Sequence, residues 1–588
     1  MKIVVANSVG IDARGYRIVH VPSRWSLGVK NFTNCGYYPW ELAYTSSLLK
    51  RETNYKVKMF DGVLNGWGFA KYLERIAEEE PDWLVMESSS RTIDEDLRLA
   101  SAISKKFGTR LIFAGQHAMA NPDEVLRTAH HVCVGEYEFA VLDLIRGRSP
   151  KTIAGVYPNQ RGELPDINAL PFPEDDDVSR LDYHEPNCRY RQIQMYASRG
   201  CPRRCNFCAA ATLYYDKLNW RPRHVTSVVS EIATLFTKYP EMEGIFFDEE
   251  VHNIKRQFNL DLADAIRAEG LDRLKYEAMC EYASLDVEVM RQMARAGYYK
   301  IRMGIETASD IVAQKMTLGK KYDLKKLRHM LERGKEFGLI FYGTISVGGL
   351  GSNEKEDGKT IDLIQELSAK GLLDEIQVSV NTPQPGTDFF NTAIKEGFLR
   401  PNLEWTDYDG NGQVVVEYPN YSADQIRKKF NEALAVFDKG RETARTEIFQ
   451  QTARESFSFI PKGARVLIMR SARIWMIHLI LNSLVEQRHI KADLLGQDVI
   501  ELEFRNRTEV DQFYSYGSGF FSVDNFSSSL VRALRDRDYD IIVTPFANNN
   551  LAGYQNVLDS AQLIQPRKIL GVYPDGATRE LVFQPTTV

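Results

Sequence analysis

Three cysteines within eight residues constrain this chain more than any other feature. The run Ser198–Cys208 reads SRGCPRRCNFC and places Cys201, Cys205 and Cys208 in a C-x3-C-x2-C spacing. Three thiolates on one loop can grip three irons of a [4Fe–4S] cubane, and the fourth iron, lacking a protein ligand, stays open. Structural zinc takes four ligands, commonly from two paired elements, and no second CxxC or CxxH partner accompanies the motif. The other cysteines, Cys35, Cys133, Cys188 and Cys280, are too scattered over 588 residues for a disulfide framework. They read as small buried hydrophobes.

Around the motif the chain alternates short apolar runs with amphipathic stretches. Strands are expected at Ile3–Ala6, Val57–Phe60, Trp83–Glu87, Arg110–Ala114 and His131–Val134, with helices such as Glu41–Arg51, Gly68–Glu79 and Glu95–Phe107 between them. That pattern predicts an α/β fold with a doubly wound, Rossmann-like sheet over residues 1–162, whose ligands bind beyond the carboxyl ends of the strands. Residues 163–190, rich in Pro, Asp and Asn, read as a linker. A second series over 191–400, with strands expected at Gln192–Ala197, Gly244–Asp248, Lys275–Cys280, Lys300–Gly304, Ile340–Ser346 and Glu375–Asn381, predicts a partial (β/α)6 barrel with its site at the strands' carboxyl ends. A largely helical extension follows over 401–462. A C-terminal, small Rossmann-like α/β domain covers 463–588.

The stretch MYASRGCPRRCNFC resembles the signature of the radical S-adenosylmethionine (SAM) superfamily, including the aromatic Phe207 before the last cysteine. Later segments match in order. GIFFDEE, with Asp248, Glu249 and Glu250, resembles the family's acidic motif that contacts the SAM amino group. RMGIETAS, with Glu306, resembles the GIES motif, Thr307 replacing the usual Ser. SVGGLGSNEKED, with Ser346, resembles the GLPGET loop without its proline, and VNTPQPGTDFF, with Pro383, resembles the TPxPGT segment. The resemblance implies that an open iron chelates SAM and that these residues bind it.

The first domain resembles the cobalamin-binding domain that precedes the barrel in one subfamily. The similarity lies in YYPWELAYTSSLLK, in MESSSRT from Met86, in AGQHAMANPDEVL from Ala114 and in VGEYEFAVLDLI from Val134. It implies cobalamin contacts from Glu87, Ser88, Ser89, Ser90, Gly115, Gln116, His117, Gly135 and Glu136. Small residues there let backbone approach a ligand. The DxHxxG motif that supplies a histidine to cobalt is absent, since Asp182-Tyr183-His184 lacks the glycine, and His117 is expected to hydrogen-bond within its loop rather than ligate cobalt. Methylthiotransferases share the domain order, but their three N-terminal cysteines are not matched by the widely spaced Cys35, Cys133 and Cys188.

The implied activity is cobalamin-dependent methylation of an unactivated carbon. One SAM is reduced to a 5′-deoxyadenosyl radical, and a second recharges methylcobalamin. The alternatives are radical ring formation, C–C coupling or rearrangement, and a non-catalytic cobalamin or SAM sensor. The substrate is an organic molecule with no signature in the sequence, and no residue acting directly on it can be named. Reduced iron implies an oxygen-sensitive enzyme and a flavodoxin- or ferredoxin-type electron donor. A net charge of −5 and a pI of about 6.2 leave no broad basic footprint for nucleic acid. No signal peptide or membrane span is read, so a cytoplasmic location is expected. In 463–588 no catalytic motif stands out. The polar loop at Asn548, Asn549 and Asn550 reads as a solvated turn, and Arg470 and Arg473 as an anion site or a charged surface.

Overall fold

The computed structural model describes residues 1–21, 25–27, 36–318, 322–472, 474–505, 507–517, 521, 523–546 and 554–581. Cys35, Arg473 and Asn548–Asn550 therefore lie outside the described residues. The chain divides into two compact units. One comprises Met1–Leu367 with Leu372–Phe437, the other Ser368–Gly371 with Asp438–Val588. Among the described residues no helix is long and apolar enough to cross a membrane.

The first sheet contains β1 (Lys2–Asn7), β2 (Lys56–Asp61), β3 (Trp83–Glu87), β4 (Arg110–Ala114) and β5 (His131–Val132) in the order β2-β1-β3-β4-β5, all parallel. Its central strands are near-continuous apolar runs such as KIVVA and WLVM, because helices cover both faces. The order reverses between β1 and β3, which makes the crevice beyond Asn7 and Glu87 the switch point of a doubly wound sheet.

Asp96 and Asp61 sit at that end of the sheet. Ser8 and Thr92 donate to Asp96, the latter at 2.7 Å, while Tyr183 donates to Asp61 at 2.9 Å. Burial raises Asp96 to about 7 and Asp61 to about 6 despite these bonds. A carboxyl raised on folding contributes stability at low pH that is lost as the pH climbs through its folded value. Asp96→Asn is therefore expected to stabilise the first unit at pH 8.5 by on the order of 2–4 kcal/mol. The gain should shrink as the pH falls below about 7 and vanish only below about pH 4, where the acid is neutral in the folded and the unfolded chain alike. Thermal unfolding across that range measures it.

The second sheet contains β6 (Gln192–Met195), β7 (Gly244–Phe247), β8 (Lys275–Cys280), β9 (Tyr298–Glu306), β10 (Ile340–Val347) and β11 (Glu375–Val380). Spatial order equals chain order, and every pair is parallel. Amphipathic helices such as Val225–Lys238 and Leu324–Glu336 intervene, the latter capped by Asp323, which accepts from the backbone N–H groups of Lys325 and Lys326. Near the amino ends of the strands Glu277, Lys300 and Arg302 are buried together. Lys300 lies 3.0 Å and Arg302 3.1 Å from the Glu277 carboxylate.

The segment 163–190 joins the two sheets but is not the free linker its composition suggests. Arg180 is fully buried, 2.5 Å from Glu231, and also donates to the Gln194 carbonyl. Glu174 pairs with Lys50 at 2.6 Å and Glu185 with Arg302 at 2.5 Å. Its polar residues are partners for buried charges rather than solvent-facing spacers.

The helix Ala423–Ser456 runs across the boundary between the units. The second unit holds β12 (Val466–Met469), β13 (Ala492–Gly496), β14 (Val510–Ser515), β15 (Ile541–Pro545), β16 (Lys568–Val572) and β17 (Thr578–Glu580). Their order, β14-β13-β12-β15-β16-β17 with β17 antiparallel, is that of a doubly wound sheet. The apolar run at Trp475–Val485 lies in the helix Ile474–Arg488, packed into this unit's core.

Candidate active site

The cysteine motif occupies the loop after β6. Arg199 adopts a two-residue bridge with Arg221, and Gly200 follows with φ +91°, where an added Cβ would lie 1.9 Å from Asn219 Oδ1. Only glycine fits there, so the chain enters Cys201 along one path. The loop is pinned on several sides. Asn206 N–H donates to the Met316 carbonyl at 3.1 Å, Phe389 N–H to the Asn206 carbonyl at 2.8 Å, and Arg203 to Glu281 at 2.6 and 3.0 Å. Cys201, Cys205 and Cys208 carry no disulfide and are partly exposed. Burial pushes the Cys201 thiol up to about 12 and raises Cys208, and the two thiols act on each other electrostatically. A π-helical turn, Ala210–Tyr214, closes the loop, a feature frequent at functional sites. Phe207 packs against Val312 and Met316.

The acidic residues divide by role. Glu250 accepts from Gly200 N–H at 2.9 Å and from the Tyr215 hydroxyl at 3.0 Å. Glu250 and Glu306 both help to raise the Cys208 thiol, and the Gly200 bond sets Glu250 against the cysteine loop. Glu306 ends β9 with φ +63° at a register shift against β10. A non-glycine residue in that region stores strain of order 1–3 kcal/mol, a condition that clusters at active sites. Asp248 is half-buried, its N–H on the Met195 carbonyl. Glu249 lies in a buried hydrogen-bonded chain. Its oxygens accept from Ala197 N–H at 3.0 Å and lie 2.6 Å from His252 Nδ1, and His252 Nε2 is 3.1 Å from the Tyr298 hydroxyl. That buried chain fixes the acidic motif to the entry of the cysteine loop. Ser346 accepts from Asn381 Nδ2 at 3.4 Å, and Pro383 is buried in the turn after β11.

The carboxyl ends of the first two sheets meet. Gln116 Nε2 reaches the Pro385 carbonyl at 3.5 Å, and a Cβ on Gly386 would lie 2.9 Å from Ala120 and 3.0 Å from Leu213. Arg91 pairs with Asp409 at 3.1 Å and Arg14 with Asp407 at 2.7 Å. Ser88, Ser89, Ser90, Gln116 and His117 are all buried in this seam, as is Glu87, beside the Tyr137 hydroxyl. Gly115 and Gly135 adopt φ +91° and +78°. His117 has its Nδ1 3.0 Å from Ser90 Oγ, its Nε2 3.3 Å from Glu124, and its ring edge-to-face on Trp405 at 5.0 Å. It lies in the short helix Gln116–Ala120, not in a loop. The Glu136 carboxylate lies 2.9 Å from Arg199 and 2.7 Å from Arg221.

Four amide oxygens in or next to the seam are buried without a hydrogen-bond partner: Gln116 Oε1, Gln384 Oε1, Asn381 Oδ1 and Asn206 Oδ1. Folded proteins leave few such atoms, so their grouping marks a place built for a ligand. The donor set therefore fits both implied groups. Three uncrosslinked cysteines on one pinned loop suit a cubane, and small residues at the switch-point sheet, facing orphaned amides from both sheets' loops, suit a bulky, amide-rich cofactor. Sequence reasoning missed Arg199, Arg221, Glu281, Tyr215, Asn381, Gln384 and Trp405. Glu281 alone had a local signal, as a carboxylate just past a strand's carboxyl end.

Comparison with known proteins agrees with this geometry. Residues 195–364 match the model of the radical SAM superfamily. The chain is 23% identical over 210 residues to cytidylyl-2-hydroxyethylphosphonate methyltransferase of Streptomyces wedmorensis, covering 35% of this chain and 38% of that one. It is 26% identical over 200 residues to hopanoid C-3 methylase of Methylococcus capsulatus, covering 34% and 36%. The matches thus span well under half of those relatives. The fold is similar to the cobalamin-dependent S-adenosylmethionine radical enzyme OxsB with aqua-cobalamin and S-adenosylmethionine bound, at TM-score 0.57 and 12% identity over 82% of this chain and 72% of that one. The match places a radical SAM-like domain at residues 195–364. The chain's relatives include methyltransferases, and it shares an α/β architecture of parallel sheets with a cobalamin-dependent member.

Proposed function

We propose that this chain is a cobalamin-dependent radical SAM enzyme that methylates an unactivated carbon of an organic substrate. The observation that carries the reading is the seam, where a three-cysteine loop held by Glu250 meets a switch-point sheet lined by small residues, with orphaned amides on the loops of both sheets. When bound, a [4Fe–4S] cluster on Cys201, Cys205 and Cys208 supplies the electron that cleaves SAM to a hydrogen-abstracting radical, and cobalamin supplies the methyl group. The protein's share is binding and orientation. Glu306 and Glu250 offer charge-assisted acceptors to the SAM amino group or ribose hydroxyls. Ser346, Asn381 and the Pro383 turn bound the same space. Gln116, the Ser88–Ser90 run and the glycines at 115 and 135 offer the cobalamin face, and the packed seam excludes water. A flavodoxin- or ferredoxin-type protein is the proposed electron donor.

The test is anaerobic. Cluster-loaded, cobalamin-loaded protein is reduced and given SAM without substrate. Release of S-adenosylhomocysteine in step with a change in the cobalamin spectrum supports methylation. Release of 5′-deoxyadenosine without S-adenosylhomocysteine would overturn it in favour of ring formation, coupling or rearrangement.

Glu306→Gly separates binding from folding. Glycine adopts the φ of +63° freely, so stability should hold or rise slightly. SAM affinity should fall by about tenfold or more, as expected for the loss of a charge-assisted contact. Equilibrium dialysis of SAM on cluster-loaded protein reads this, and unchanged affinity would remove Glu306 from the SAM site.

A further inference from the structure

The loop after β5 is wired to the cysteine loop through one arginine. Glu136 and Glu138 are 1% and 0% exposed, and Arg199 between them is 3% exposed, with its guanidinium 2.9 Å from the first and 2.7 Å from the second. Arg221, bridged to Arg199 by its backbone, lies 2.7 Å from the second oxygen of Glu136. The Arg199 guanidinium also stands 4.7 Å from the Tyr44 ring centroid. Two cations and two anions thus form one cluster, buried except for Arg221, which is 20% exposed.

Burying such a group adds little net stability, since desolvation offsets the attraction, so its value lies in fixing one arrangement. What it fixes is adjacent to the chemistry. Arg199 stands two residues before Cys201, and Gly200 between them has its N–H on Glu250 and no room for a side chain. A shift of Gly135–Glu138 would therefore move the first cysteine and the carboxylate beside it together.

We propose that Arg199 is a positioning residue through which the Gly135–Glu138 loop of the first sheet sets the geometry of the cysteine loop, so that occupancy of the two sites is linked. The linkage half rests on the cobalamin reading above, and the positioning half does not. By reciprocity, whatever the cluster does to cobalamin affinity, cobalamin does to the cluster site.

The experiment uses the full chain, wild type beside Arg199→Lys and the double variant Glu136→Gln, Glu138→Gln. Lysine keeps the charge but loses the planar guanidinium, whose Nη1 meets both carboxylates and which stands over the Tyr44 ring. Glutamine keeps the shape of the acids. Circular dichroism checks that each folds. The electron paramagnetic resonance spectrum of the reduced cluster is recorded with and without SAM in cobalamin-free protein. Cobalamin affinity is measured by equilibrium dialysis on cluster-loaded and cluster-stripped protein. The wild type is expected to bind cobalamin about tenfold differently in the two states, within the usual span of coupled sites. In both variants that ratio should fall toward one and the SAM-induced spectral change should alter. If both variants keep the wild-type ratio and spectra, Arg199 is a structural staple only and the proposal is overturned. If the wild type binds no cobalamin, the functional reading fails, and the spectra alone decide: altered spectra uphold positioning, unaltered spectra overturn it.

Discussion

Replacing Cys201, Cys205 and Cys208 together with alanine is expected to take the reconstituted protein from about four irons per chain to near zero. Reductive release of 5′-deoxyadenosine should drop to background with it. The effect is large because, among the described residues, no other cysteine stands ready to substitute. Cys133, Cys188 and Cys280 are buried away from solvent, and Cys188 Sγ already donates to Glu277 at 2.5 Å. The fold should survive the change. The loop is held by backbone bonds of Asn206 and by the Arg203–Glu281 pair, none of which uses a cysteine sulfur, although Cys205 Sγ does donate to the Leu318 carbonyl at 2.8 Å. Iron and sulfide analysis together with far-UV circular dichroism gives the answer. Wild-type iron in a folded triple variant would refute the ligand assignment.

The cysteine loop was legible because its chemistry is local, with ligands, flanking glycine and aromatic all within one short run. The strands of the first two sheets were legible for a related reason. Parallel strands covered on both faces are unbroken apolar runs, and β3, β4 and β8 fall where those runs predict. The second unit was harder. β14 reads VDQFYS and is half exposed at the sheet's end, so no apolar run announces it. The seam was not legible at all. Gln116 and Pro385 are 269 residues apart, and nothing in either motif names the other. The side-chain partners of Glu136 and Glu249 were not legible either. Each sits in a motif resembling a cofactor contact, yet Arg199 and His252, supplied by neighbouring segments, claim their carboxylates. The segment 163–190 shows the converse. Polar composition usually marks a spacer, but here it feeds buried charges on the two sheets it joins.

The second sheet's buried charges carry the largest expected effect on stability. Glu277 is wholly buried with Lys300 at 3.0 Å, Arg302 at 3.1 Å and the Cys188 thiol at 2.5 Å. Arg302 stacks over Phe246 at 4.1 Å and reaches Glu185, while Lys300 reaches Glu375 at 3.0 Å. Glu277→Leu leaves two buried cations sharing two acids at the rim of the group, and should cost about 3–5 kcal/mol. Glu277→Gln, which keeps an acceptor for the thiol and the guanidinium, should cost less. As a control, Glu74→Leu on the exposed Lys71–Glu74 pair should change stability by a few tenths of a kcal/mol at most. Acid should mimic the first variant. Burial pushes Glu185 up, but the Arg302 guanidinium holds its carboxyl below the usual range, and Lys300 does the same for Glu375. A depressed carboxyl contributes stability above its unfolded value that is lost as the pH falls through its folded one, so this sheet should loosen below about pH 4. Urea unfolding of the three variants at pH 7 and pH 4 tests both statements. If Glu277→Leu unfolds with the wild type at pH 7, the group is a passive filling of the sheet's base and not what holds the 163–190 segment in place.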